Sequence, residues 1–156
     1  MDTEIPRDQF LKEAYEKINQ QVIANLKYRG LTANYRGNVM EIPISSIKGC
    51  HYEIGFHKDC HEIALHFQGT PRNNLSRSEG FRTHIPTLES TMGYAVILGA
   101  HEGKENGRKR LWIKLPMEPL TPDLLAKYSD LTARLIVFTL PILQSIMDTE
   151  NHAKNW

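Results

Sequence analysis

Along residues 50–68, CHYEIGFHKDCHEIALHFQ, apolar and polar side chains alternate with a period of two. Tyr52, Ile54, Phe56, Ile63, Leu65 and Phe67 share one face, while His51, Glu53, His57, Glu62 and His66 share the other. That alternation predicts a half-buried antiparallel hairpin, because successive strand residues point to opposite sides of a sheet. A two-residue turn at Lys58-Asp59 sets its register: Cys50 faces Phe67, His51 faces His66, Glu53 faces Ala64, Gly55 faces Glu62, and His57 pairs with Cys60.

Helical spacing takes over on either side. Leu11, Tyr15, Ile18, Val22 and Leu26 recur at steps of four, three, four and four, predicting an amphipathic helix over 7–28 with Gly30 as its left-handed cap. Residues 38–44 alternate Met40, Ile42 and Ile44 as a strand. Pro43 has no backbone donor, so this strand belongs at an edge or ends irregularly. After the loop-like GTPRNN, Phe81, Ile85, Leu88 and Met92 keep a helical period, which Leu75 extends backwards. Pro86 within it predicts a kink, or a short helix followed by a second that begins at the proline; Gly93 closes the segment.

The apolar run 94–99 predicts a buried strand. Asn106-Gly107 marks a turn into KRLWIKL, where Leu111, Ile113 and Leu115 alternate with Arg110, Trp112 and Lys114. Thr121-Pro122-Asp123 combines a capping hydroxyl, a first-position proline and a carboxylate at the positive end of the dipole. The helix it starts runs to about residue 147 on a stripe of Leu124, Tyr128, Leu131, Leu135, Phe138, Ile142 and Ile146. Pro141 bends it near its end, and 148–156 read as a frayed tail. The whole predicts one α+β domain over 1–156 in the order αβββαββα. It is a two-layer sandwich, with a mostly antiparallel five-stranded sheet, three helices on one face, and the other face partly open.

Composition changes this picture little. The 156 residues are 40% hydrophobic and 24% charged, and the net charge of +1 does not point to bulk attraction for nucleic acid or anionic membranes. Cys50 and Cys60 sit near opposite ends of one hairpin, about seven residues apart at ~3.3 Å each. They are beyond disulfide reach, which predicts free thiols and a reducing, cytoplasmic setting. The start, MDTEIPRDQF, lacks the basic and apolar regions of a signal peptide, and Arg134 interrupts the longest apolar stretch, so no membrane span is expected.

Candidate chemistry centres on the polar hairpin face. His51, Glu53, His57, Glu62 and His66 form the candidate ligand-binding face: two imidazoles and two carboxylates in one patch suit a divalent metal or a general acid–base pair. The blander alternative is a solvated sheet face or the polar part of a dimer interface, and no resident metal or cofactor is expected. His57-Lys58-Asp59-Cys60-His61 lacks a second ligand pair for zinc, and His61 points away from His57 with Phe56. Glu102-Gly103-Lys104 resembles the acid-x-lysine step of metal-dependent nucleases, but it falls in a loop and its nearest upstream acid, Glu89, is on a helix. Lys104, Arg108, Lys109, Arg110, Trp112 and Lys114 make the candidate nucleic-acid contact, since arginines fork onto phosphates and an indole stacks on bases. Glu102 dilutes that patch, and a solvated strand is its simpler explanation. No Walker loop, dinucleotide-binding glycine fingerprint, Gly-x-Ser-x-Gly or paired Cys-x-x-Cys occurs.

HYEIGFH, HEIALHF, IPTLESTMG, RLWIKLP and the long terminal helix, spanning about residues 50–146, are similar to an uncharacterised family of bacterial α+β domains. Such domains occur alone or joined to nuclease-like domains in defence or DNA-processing genes. The resemblance implies an accessory role near nucleic acid, with catalysis supplied by a partner, and it names no active residue. The residues themselves favour a small binding or interaction module, a homo-oligomer through its open sheet face or final helix. A nucleic-acid accessory domain and a metal-dependent hydrolase on the His/Glu face are the alternatives.

Overall fold

The computed structural model describes residues 3–104 and 107–154. Helix α1 (Arg7–Leu26) is followed by strands β1 (Asn34–Arg36), β2 (Val39–Ile44), β3 (Ile47–Phe56) and β4 (His61–Phe67). A helical segment comes next: α2 (Pro71–Glu79), a 3₁₀ turn at Arg82–His84, and α3 (Ile85–Met92). Strands β5 (Ile97–Ala100) and β6 (Lys109–Leu115) lead to α4 (Pro122–Lys154). The strands form one antiparallel sheet in the order β1-β2-β3-β4-β6-β5.

The α+β class and the register of the central hairpin are as the alternation predicts. Cys50 faces Phe67, His51 faces His66, Glu53 faces Ala64 and Gly55 faces Glu62, while the His57 N–H donates to the Cys60 carbonyl across the two-residue turn. Both cysteines are free. Tyr52, Ile54, Ile63, Leu65 and Phe67 are fully buried, together with Leu111 and Ile113 of β6 and Phe10, Ala14, Ile18 and Val22 of α1. Two hydroxyls anchor α4 beneath the hairpin: Tyr52 bonds Thr139 at 2.7 Å, and the Tyr128 hydroxyl lies 2.7 Å from His61 Nδ1. Phe10, Phe56 and Tyr128 meet edge to face at the same junction. His61 therefore faces the helices, on the other side of the sheet from His57, as the turn geometry requires.

Several local expectations change. The sheet has six strands, not five: β1 is a three-residue exposed strand folded onto β2 by a turn at Gly37, whose φ is +55°. So short and wet a strand carries no apolar alternation to read. The 94–99 run becomes β5 at 97–100, an edge strand paired only with β6, and Ile97 is 43% exposed rather than buried. Helix α1 ends at Lys27, which takes the left-handed position (φ 54°) in place of Gly30. Gly30 instead lies against Tyr28 and Ser45, where a β-carbon would collide. Pro86 does begin a separate helix, and Gly93 caps it in the left-handed conformation. Pro43 sits beside the register shift in β2, the irregular strand end its missing donor requires.

Thr121 Oγ1 accepts from the Leu124 N–H, as the capping motif predicts, and Thr70 caps α2 in the same way. Helix α4 continues through the exposed Pro141 and on to Lys154, so 148–154 are helical and not a frayed tail; Asn155 and Trp156 lie outside the described residues. The continuation is held by Glu150, whose carboxylate accepts from the buried Arg77 of α2 at 3.1 Å. By length and composition α4 is apolar enough to cross a membrane. In this fold Leu124, Tyr128, Leu131, Leu135, Ile136, Leu140 and Leu143 are instead buried in the protein core.

Candidate functional site on the polar sheet face

Antiparallel register turns the polar face into a grid of three rows. Val39, Gly55, Glu62 and Lys114 form the first; Glu41, Glu53, Ala64, Trp112 and Ile97 the second; Pro43, His51, His66, Arg110 and Gly99 the third. The expected solvated face is not found. His51 is 3% exposed, and Glu53, Glu62 and His66 are also buried. Four ionisable groups out of water must satisfy one another, since an unpaired buried charge is costly.

They do so as a connected network. The Gln68 amide donates to His51 Nδ1 at 2.7 Å, leaving the Nε2 proton of His51 to donate to Glu53 Oε1 at 3.2 Å. His66 Nε2 lies 3.1 Å from Glu62 Oε1 and 3.4 Å from Glu53 Oε2. Glu62 Oε2 pairs with the Arg110 guanidinium, which stacks 3.6 Å above the Trp112 ring. The two imidazoles of His51 and His66 are themselves stacked, with centroids 5.0 Å apart and planes 18° from parallel. Small residues make room: a β-carbon at Gly55 would meet the His57 ring at 2.8 Å, so the glycine is what lets His57 fold back to within 3.3 Å of Glu62.

The electrostatics divide the carboxylates. Burial, reinforced by the adjacent Glu62, raises Glu53 to about 7. Glu62 is also penalised by burial, but hydrogen bonds with His66 and Glu53 and the nearby Arg110 outweigh it and hold Glu62 well below the ordinary carboxylate range. Of the two carboxyl groups, Glu53 is therefore the one that takes up a proton more readily. Burial lowers His51, and burial with the neighbouring His66 and Arg110 lowers His101 to about 4, so both imidazoles are neutral near pH 7.

Above this floor opens a cleft of about 460 Å³, lined by His51, Glu53, His57, His66, Gln68 and His101, with Arg36, Lys104 and Arg108 at its margin. Arg36 lies 3.8 Å from Glu41, and His101 sets its ring edge-on to His66 at 4.8 Å. Four of the five residues of the predicted ligand-binding face line this cleft, His57 at the rim and His51, Glu53 and His66 in the floor, while Glu62 is fully buried behind them against His57 and His66. Gln68, Glu41, Arg36 and His101 were not singled out from the sequence; Gln68, one residue beyond the hairpin, and Glu41, between Met40 and Ile42, lay within reach of the alternation.

The predicted nucleic-acid set is divided. Lys104 and Arg108 reach the cleft margin; Arg110 is committed to Glu62 and covers one face of Trp112; Lys114 is exposed beside Glu62. Lys109 belongs to the opposite face, in register with Phe67 and electrostatically near Glu79 of α2. Nor does the Glu102-Gly103-Lys104 step assemble, because Glu89 accepts from the Val96 N–H at the end of α3. Glu105 and Asn106, the first residue of the predicted turn, lie outside the described residues, whereas Gly107 has the positive φ of such a turn.

No family model and no curated protein matches the chain. Among solved structures it is similar to YbjN, a proposed transcription regulator from E. coli, with 10% identity over 78% of this chain and 88% of that one and a TM-score of 0.40, a likeness too low to carry a functional argument.

Proposed function

We propose that the chain is a small ligand-binding module whose site is the cleft on the polar sheet face. One observation carries this reading: His51, Glu53 and His66 are buried at the base of an open cleft, with Glu62 fully buried behind them, instead of being replaced by apolar residues. A well-packed apolar cluster of similar volume is often as stable as a buried ionic one, so stability by itself does not call for this arrangement. The basic margin of Arg36, Lys104 and Arg108 favours ligands with negative charge or electron-rich donors. Because the stripe of α4 is spent on the core, assembly through that helix has less surface to work with, and the cleft is the better-supported binding surface.

Amide NMR spectra recorded while inorganic phosphate, citrate or zinc chloride is added provide the test. Shifts concentrated in 51–57, 62–68 and 99–104 are expected for at least one probe. Shifts confined to a second groove, the one lined by Arg72, Ser76, Ile146 and Thr149 between α2 and the end of α4, or none anywhere, would remove this reading.

A further inference from the structure

We propose that His51, Glu53 and His66 hold one divalent transition-metal ion, with its remaining coordination positions open to the cleft. The inference rests on the binding-site reading and revises the expectation that no metal is bound. Its basis is the relative placement of the donor atoms. One atom from each of the three residues lies within 4.8 Å of the others. The two Nε2 atoms converge on the two oxygens of a single carboxylate, His51 at 3.2 Å and His66 at 3.4 Å. Those separations stand at or just beyond the long end of ordinary N–H···O hydrogen bonds, which run about 2.7–3.2 Å. They match the ligand–ligand edges around a metal: bonds of about 2.1 Å give edges of roughly 3.0 Å in an octahedron and 3.4 Å in a tetrahedron. An ion held here would take the place of the N–H protons, with His51 beside one oxygen of Glu53 and His66 beside the other.

The backbone and the surroundings prepare the site. His51 and Glu53 are two apart on β3, and His66 is the direct cross-strand partner of His51, so all three project from neighbouring positions of a rigid central pair. That is firmer support than loop residues provide. Gln68 contacts His51 Nδ1 at 2.7 Å; when Nε2 binds a metal, the amide turns its oxygen to accept the Nδ1 proton, the outer contact that metal-bound histidines use. Glu62, tied to Arg110, stands 3.1 Å from the same His66 Nε2, and that hydrogen bond is given up when the nitrogen takes the ion. Two imidazoles and a carboxylate suit zinc, cobalt, nickel or iron(II) better than calcium or magnesium, which prefer all-oxygen sites. Three protein ligands facing a cleft leave space for water or an electron-rich group of a bound molecule, the open form of site rather than the closed structural one.

Zinc is the probe. The metal-stripped chain is dialysed against buffered zinc chloride, and metal per chain is measured for the natural protein, His51→Ala, His66→Ala and His57→Ala, each checked for folding by circular dichroism. One zinc per chain is expected for the natural protein and for His57→Ala, with affinity reduced at least tenfold in the other two. Equal zinc on all four proteins, indicating adventitious sites, overturns the assignment. So does loss of zinc in His57→Ala with retention in His51→Ala, which would move the ion to the neighbouring Glu53, His57 and Glu62 group. Should His51→Ala or His66→Ala not fold, the imidazole resonances of the natural protein decide: both rings must shift with one equivalent of zinc. Cleft shifts with phosphate or citrate but no bound zinc overturn the metal assignment and leave the binding-module reading standing; no cleft shift with any probe overturns both.

Discussion

Glu62 shows how one residue holds the site together. It is fully buried and its two oxygens serve His57, His66 and Arg110, so removing it leaves the buried His66 imidazole and the largely buried Arg110 guanidinium without their carboxylate, while His57 at the rim keeps its contact with water. Breaking a buried pair from one side costs about 3–5 kcal/mol, and urea unfolding of Glu62→Ala should show a loss of that order. Glu53 is a milder case, because burial raises its carboxyl to about 7 and Glu53→Gln keeps much of its hydrogen bonding. Gly55→Ala should act through His57 alone, displacing the ring from Glu62 while leaving the strands paired. The thiols separate at this scale too. Burial pushes Cys50 up to about 11 despite the nearby Arg77, whereas Cys60 is partly exposed at the hairpin turn. Iodoacetamide at pH 8 should modify Cys60 and spare Cys50 in the folded protein, as peptide mass mapping would reveal.

At the level of elements, α4 is the structural keel. Its N-terminus is set by Thr121, its middle is bonded to the hairpin through Tyr52 and His61, and its last turns are held by Arg77. Arg77 also donates to the Lys48 carbonyl at 2.8 Å, so one guanidinium joins α2, β3 and the end of α4. A chain ending at Met147 loses the Glu150 contact and leaves Arg77 buried with an unused charge. It should be destabilised by about 2 kcal/mol, close to the effect of Glu150→Ala, because charge-assisted hydrogen bonds contribute about 1.5–3 kcal/mol each. If the truncated chain melts like the full one, the last turns are ornamental and that account of their helicity is wrong.

For the whole molecule, the sheet order puts β2, β3, β4 and β6 in the interior and leaves β1 and β5 as edges. Native-state hydrogen exchange should therefore be slowest at Tyr52, Ile54, Ile63, Leu65 and Ile113, and fast along Asn34–Arg36 and Ile97–Ala100, since short exposed elements open locally well below the global unfolding energy. Because the candidate site lies on the most protected strands, a ligand bound there should raise the melting temperature of the entire domain. Occupancy at a hundred times the dissociation constant adds about 2.7 kcal/mol.

The alternation of 50–68 determined a good deal without help: two strands, a two-residue turn, the exact cross-strand partners, and the gathering of His51, Glu53, Glu62 and His66 on one face. A period of two leaves little freedom, because slipping the register by one residue turns every apolar side chain outward. Thr121-Pro122 and Pro86 were equally legible, since their chemistry is local. Tertiary structure decided what local pattern does not encode. Arg110 looked like a free cation until β6 was set beside β4, where it becomes the partner of Glu62. The polar face looked wet until β2 and β6 flanked the hairpin and His101, Lys104 and Arg108 came to line the cleft over it, leaving its centre buried. Glu150 looked like part of a loose tail until α2 brought Arg77 to it. In each case the partner lies tens of residues away along the chain, and the burial that makes the contact matter exists only once the layers are stacked.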